Sequence, residues 1–246
     1  MSIPQLAPDV LKLLGQYDTP TICNVIELFE VRPRNTGYMD DRIRACFPEM
    51  PPIVGYASTA TMRTSARAQG VVYSSLDDQL RAFSEIPGPP IVVFQDLDDP
   101  PVAATFGEIM CATYQAFGAA GLITSGAARD LDQVRRLGFP AFSNGAICSH
   151  GYSHIPSTHV PVRVGGLAVS PGDLLHADAN GVTNIPHDIA ADVAAACADY
   201  VAAEGIILNF LKTGSQDVRQ YSEARQEAMR QIGELGKRVR ARRTAA

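Results

Sequence analysis

The chain has 246 residues, 46% hydrophobic and 19% charged, which allows one sizeable α/β core and excludes global disorder. Its net charge of −5 argues against general nucleic-acid binding, and the basic run Lys237, Arg238, Arg240, Arg242 and Arg243 reads as a solvated helix end. Five dispersed cysteines without a CxxC pair, no signal-like N-terminus and no apolar run of roughly 18 residues point to a soluble cytoplasmic protein without disulfides or a membrane span.

In chain order, residues 8–16 and 20–30 read as short helices. Asp18 and Thr19 before Pro20 suit a capped first turn of the second. Residues 32–52, rich in Pro, Arg and Asp, read as a loop. A strand follows in IVGYASTATMR (53–63), residues 69–73 carry no clear pattern, and 77–83 reads as a helix. The apolar run IVVF (91–94) reads as a buried strand ending at Gln95 and Asp96. Residues 105–118 read as an amphipathic helix with Phe106, Ile109, Met110, Thr113 and Phe117 near one face. Residues 122–124 form the next strand, 131–137 a helix stopped by Gly138, and 140–142 begin another strand. Residues 160–185 alternate and carry Gly, Pro and Asn turn signals, as three or more antiparallel strands do. From His187 the chain reads as helical in two pieces broken near Gly214. The order βαβαβ, β meander, then C-terminal helices describes a mixed-sheet α/β domain rather than an eight-fold barrel. With no linker or repeat, 1–246 reads as a single domain with a helical extension over about 215–246.

The residues with most chemistry bracket the unit 107–130. Gly107 and Glu108 lie near a helix start, and after twenty residues Arg129 and Asp130 follow the next strand. A helix–strand unit folds back on itself, so its two ends can meet. Two carboxylates suit a hard metal ion, and a guanidinium suits a substrate carboxylate. Local capping also accounts for each residue. Asp130 with Gln133 reads as a capping-box analogue, Arg129 could pair with Asp132, and Glu108 is a favourable first-turn carboxylate. Gly126 marks a turn at a strand end, a usual place for a ligand. Lys12, Lys212 and Lys237 all read onto terminal helices, which disfavours imine catalysis. Cys148, His150, His154 and His159 have a spacing that could bind zinc, but without a helical frame they read as a polar loop. No nucleotide-binding glycine loop follows a strand, and Ser125 and Ser143 sit in no nucleophile elbow.

The segment GE…GLITSGAARDLDQVRRLGFPAF resembles the RraA-like family, whose mark is an acidic residue, twenty residues and then Arg-Asp. Asp18-Thr19 with Ile22-Cys23-Asn24 is similar to the family's N-terminal DT…VSD helix, with Asn24 replacing the Asp. Residues 164–173 and 178–182 resemble its vGGv.V.PGD…aD.dGV meander, so the likeness spans roughly residues 8–215. The resemblance implies an α/β fold: a three-layer β/β/α swivelling-domain-like sandwich with mixed sheets and C-terminal helices. It implies homotrimers or homohexamers with active sites at subunit boundaries. It also implies a class II 4-hydroxy-4-methyl-2-oxoglutarate aldolase and oxaloacetate decarboxylase, a metal-dependent lyase that releases pyruvate from a small 2-oxo acid through a stabilised enolate. By the same resemblance Asp130 binds Mg2+ or Mn2+ directly and Glu108 holds its waters, one of which is the expected base for a C4 hydroxyl. Arg129 and the backbone of Gly107, Glu108, Ile109 and Met110 bind the pyruvyl carboxylate, and Glu204 stands where a neighbouring subunit contributes a carboxylate. The competing class is a non-catalytic regulatory protein that binds a ribonuclease or another partner; the intact Arg129–Asp130 pair favours the enzyme.

Overall fold

The computed structural model describes residues 3–69 and 73–245, so the unpatterned stretch 69–73 falls mostly outside the described residues. Helices α1 (Pro8–Leu14) and α2 (Thr19–Leu28) come first, and Asp18 caps α2 by accepting from the Thr21 amide at 2.8 Å. The loop beyond them holds only the short strand β1 (Arg44–Ala45). Then follow β2 (Ile53–Met62), α3 (Leu76–Ala82), β3 (Pro90–Asp96), β4 (Ala104–Phe106), α4 (Glu108–Ala116), β5 (Gly121–Thr124), β6 (Ala127–Ala128), α5 (Leu131–Leu137) and β7 (Ala141–Ser143). The meander resolves into two hairpins, β8 (Val162–Val164) with β9 (Leu167–Val169) and β10 (Leu174–Asp178) with β11 (Gly181–Ile185). Helices α6 (Ala190–Lys212) and α7 (Val218–Ala245) complete the chain, separated at Gly214, where φ is +71°.

The main sheet has the order β1-β7-β5-β3-β2-β10-β11. Strands β7, β5, β3 and β2 run parallel, and β1 and β10 flank them antiparallel. Side-chain alternation divides the core between two faces. On β3, Val92 and Phe94 pack with Phe106, Tyr114 and Val134 on the helical side. Ile91 and Val93 pack with Val162, Val164 and Val169 of the small β8–β9 hairpin on the other. The layers are thus hairpin, sheet and helices, the β/β/α sandwich. Farther along the helical face, α1, α2, α6 and α7 cover Tyr56, Leu174 and Ile185. The α2 start is tied to the sheet by Thr19, whose amide donates to Asp178 Oδ2 at 2.8 Å and whose hydroxyl meets the fully buried His176 Nδ1 at 2.9 Å.

Two readings need amending. The helix expected over 105–118 begins only at Glu108, because Thr105 and Phe106 join β4 and Gly107 is extended, at φ −151°. Phe106 fits the helical period with Ile109, Met110, Thr113 and Phe117, yet strand pairing with β6 claims its backbone, and α4 buries Cys111 and Tyr114 while Ile109 and Phe117 are exposed. Among the described residues one helical segment, His187–Lys212, is long and apolar enough to cross a membrane by length and composition. Its Ala190, Val193, Ala194, Cys197, Tyr200 and Ala203 recur at helical spacing on the face packed in the core, while Val201, Leu208 and Leu211 are exposed.

Candidate active site

β4 and β6 pair in parallel, Ala104 with Ala127 and Phe106 with Ala128, and the Arg129 amide donates to the Phe106 carbonyl at 3.0 Å. This short ladder brings the two ends of the 107–130 unit together. Gly107 then permits the close approach: a Cβ there would lie 2.5 Å from Asp130 Oδ2 and 3.0 Å from Arg129 Nε. Arg129 Nε lies 3.8 Å from the same carboxylate oxygen, whereas Asp132 pairs with Arg135 at 3.5 Å, so the expected Arg129–Asp132 pair does not form.

Asp130 departs from the local capping expectation. It precedes α5 but places no side-chain hydrogen bond on that helix, and its backbone is left-handed, at φ 56° and ψ 38°. Instead its Oδ2 accepts from the Glu108 amide at 3.1 Å, so it caps α4, twenty-two residues earlier in the chain. A left-handed non-glycine residue costs on the order of 1 kcal/mol, least for Asp and Asn. A charged acceptor at a helix start offsets that cost through the hydrogen bond and the helix dipole. Asp130 Oδ1 accepts nothing among the described residues, and its side chain is 31% exposed. Glu108 stands exposed in the first turn, and the amides of Ile109 and Met110 also take no partner among the described residues.

Beside this junction lies a cleft of about 220 Å³ lined by Gly107, Ile109, Met110 and Arg129, with Phe106 and Leu76 as apolar wall. Ala104, Thr105, His150 and Ser153 also line it, whereas Glu108 and Asp130 stand at the junction beside it and do not. The sequence offers His150 only as part of a zinc-like spacing and does not offer Ser153, because the loop after β7 is placed largely by long-range backbone bonds. Ala128 donates to the Gly145 carbonyl at 2.9 Å, and Ile147 donates to Ala128 at 3.0 Å. The zinc-like spacing does not converge: His150 and His154 each hold a backbone carbonyl, and His159 faces Glu85 at 3.5 Å. Cys111, beneath the site on α4, is no nucleophile, since burial above all, with the Cys46 and Asp130 charges, pushes its thiol far up.

Gly126 serves packing rather than a ligand. A Cβ there would sit 2.0 Å from Thr105 Oγ1 and 2.5 Å from Asp96 Oδ2. A larger cleft, about 370 Å³, opens on the other side of that junction, between Arg42, Gln95, Asp96, Asp99, Asn144 and Arg163. Its charges are mostly spent on neighbours: Arg42 grips Asp40 through two bonds, and Asp98 accepts from the amides of Thr64 and Ser65. None of Glu108, Arg129 and Asp130 lines it. Glu204 lies on α6 beside Tyr200, whose hydroxyl burial, with the adjoining Glu204 charge, pushes up to about 12. Within one chain Glu204 does not line the α4 cleft.

The profile of the RraA-like family, described as Aldolase/RraA, matches residues 19–183. A protein of Halalkalibacterium halodurans provisionally named 4-hydroxy-4-methyl-2-oxoglutarate aldolase is 36% identical over 109 residues, 44% of this chain and 51% of that protein. The chain thus matches about half the length of that relative. An uncharacterized protein from Pseudomonas syringae pv. tomato has the same fold, with a TM-score of 0.73 at 21% identity over 92% of this chain and 97% of its own. Streptomyces coelicolor RraAS2, described as an unusual member of the RNase ES inhibitor RraA protein family, superposes with a TM-score of 0.66 at 21% identity, covering 86% of this chain and all of the other. The matched span holds α2, the β4–β6 ladder, the Arg129–Asp130 pair and the meander, and the chain belongs to the RraA-like family.

Proposed function

We propose that the α4 cleft binds the pyruvyl end of a small 2-oxo acid and that the protein is a divalent-metal-dependent carbon–carbon lyase. Its reactions are retro-aldol cleavage of 4-hydroxy-2-oxo acids and decarboxylation of oxaloacetate, both releasing pyruvate. One observation carries this reading: Gly107 lets Arg129 and Asp130 converge on the open start of α4.

The Arg129 guanidinium, 35% exposed, receives the substrate C1 carboxylate in a bidentate pair and fixes its orientation. The Ile109 and Met110 amides add donors at the positive end of α4. Charge that develops on the 2-oxo group as C3–C4 breaks is then stabilised by donors already in place. The donor set fits a hydrated hard cation. Among the described residues no three His, Cys, Asp or Glu gather into a closed metal site, while Mg2+ or Mn2+ needs only one or two carboxylates and keeps several waters. Asp130 would hold the ion through its free Oδ1 and Glu108 would hold it through water. When bound, the ion supplies Lewis-acid stabilisation of the enolate. The matching assembly is a homotrimer or homohexamer in which Glu204 of an adjoining subunit faces the site.

The test is pyruvate release from a panel of 2-oxo acids, with and without Mg2+. Full activity after exhaustive EDTA treatment, or in Asp130→Ala, would refute the proposal. The second reading is a regulatory protein that docks on a partner, as the description of the Streptomyces fold neighbour suggests for its family. Tight capture of a ribonuclease with no turnover on any 2-oxo acid would favour it.

A further inference from the structure

We propose that His150 is the base that takes the proton from the C4 hydroxyl in the retro-aldol step. This rests on the pyruvyl-site reading above and replaces a water held by Glu108 in that role. His150 lines the cleft that Arg129 and Gly107 line, but it reaches it from the loop after β7, on a separate part of the chain. Backbone bonds pin that loop on both sides of the residue. The Ala104 amide donates to the Ser149 carbonyl at 2.7 Å, the Tyr152 amide to Thr64 at 2.9 Å, and the His154 amide to Arg63 at 3.0 Å. Gly151 is needed for this course: its φ is +53°, and a Cβ would lie 2.6 Å from the Thr64 carbonyl oxygen. The Ser153 hydroxyl donates to the His150 carbonyl, closing the turn.

The ring chemistry follows from one contact. His150 Nδ1 lies 2.9 Å from the Gly151 carbonyl oxygen. A carbonyl only accepts, so in the neutral ring Nδ1 carries the hydrogen and Nε2 keeps a bare lone pair. No described residue hydrogen-bonds that Nε2. His154 makes the same Nδ1 contact, to Tyr152 at 2.9 Å, but its ring packs edge-on against Tyr73 and does not line the cleft. Of the loop histidines, His150 alone combines an Nε2 without a partner among the described residues with a place in the lining of the cleft that Arg129 also lines.

The step balances without a redox partner. The C4 hydroxyl proton passes to Nε2, and C4–O becomes the carbonyl of the departing aldehyde or 2-oxo acid. The C3–C4 electron pair becomes the pyruvate enolate, and the imidazolium returns its proton to C3, giving pyruvate and neutral His150. Oxaloacetate has no C4 hydroxyl. It loses CO2 to the same enolate, which takes its C3 proton from solvent water, so this route needs no base.

The two reactions therefore separate the roles. With Mg2+ present, His150→Ala and His150→Gln are assayed for pyruvate release from 4-hydroxy-4-methyl-2-oxoglutarate and from oxaloacetate. The expected result is a loss of about 100-fold or more in retro-aldol kcat, the usual scale of general-base catalysis, with oxaloacetate turnover falling at most about twofold. Added imidazole should restore part of the retro-aldol rate to His150→Ala, which a purely structural role would not allow. Unchanged cleavage, an equal loss on both substrates, or no rescue overturns the assignment. A wild type that decarboxylates oxaloacetate but cleaves no 4-hydroxy-2-oxo acid overturns the His150 role alone. A wild type that releases no pyruvate from either overturns the pyruvyl-site reading and this role with it.

Discussion

Replacing Gly107 with alanine is the sharpest perturbation of the site. The backbone there is extended, so alanine adds no conformational strain and the whole effect is steric. The new methyl would lie 2.5 Å from Asp130 Oδ2 and 3.0 Å from Arg129 Nε. Ordinary contact needs about 3.5 Å, so the carboxylate must retreat by roughly 1 Å. The 3.1 Å bond from the Glu108 amide then breaks, and α4 loses its side-chain cap. Loss of a cap costs about 1 kcal/mol, or a fall in Tm of roughly 2–4 °C for a chain of this size. A displacement of about 1 Å in a catalytic group costs about 100-fold in rate, equivalent to about 2.7 kcal/mol of transition-state stabilisation. Pyruvate release and thermal unfolding of Gly107→Ala measure the two effects separately. If kcat/KM stays within threefold of wild type and Tm does not move, the convergence of Arg129 and Asp130 at Gly107 has no functional weight.

Asp130→Asn should keep the left-handed backbone and the amide cap, leaving Tm within about 1 °C, while pyruvate release falls at least about 100-fold; Asp130→Ala should lose both, with Tm down by several degrees. Gly126→Ala should destabilise by about 1–3 kcal/mol in denaturant unfolding, because its methyl would overlap Thr105 Oγ1 and Asp96 Oδ2. Burial holds the His176 imidazole below its ordinary range, so the unfolded chain binds a proton there more readily than the fold does. That contribution is fully present above pH of about 6.5 and is lost as pH falls below it, and the loss should be smaller in His176→Gln when Tm is followed from pH 7 to 5. Asp96 and Asp173, raised mainly by burial, act with the opposite sign as pH falls toward their own titrations.

The elements that were legible in sequence are those whose signal is local. The IVVF run became β3, Gly138 stopped α5 in a left-handed turn, and Gly214 broke the terminal helices. β6 has two residues and no periodicity to detect, yet it draws the site together. The Arg129–Asp130 motif was visible, but its direction was not. A capping reading looks three residues ahead, and Asp130 spends its side chain on a helix that precedes it by twenty-two. His150 stood out in sequence only through a zinc-like spacing, and its place beside Arg129 was not visible: that place depends on Thr64 and Ala104, and nothing in the segment SHGYSHIPSTH encodes those partners.

The bond between the Glu108 amide and Asp130 Oδ2 also provides a spectroscopic handle. An amide proton donated to a carboxylate resonates according to the charge on that carboxylate. Drawing electron density toward Oδ1 weakens Oδ2 as an acceptor and moves the Glu108 signal. The proposed binding of Mg2+ at this carboxylate can therefore be tested in the resting protein by a titration monitored through one backbone resonance, independently of any turnover.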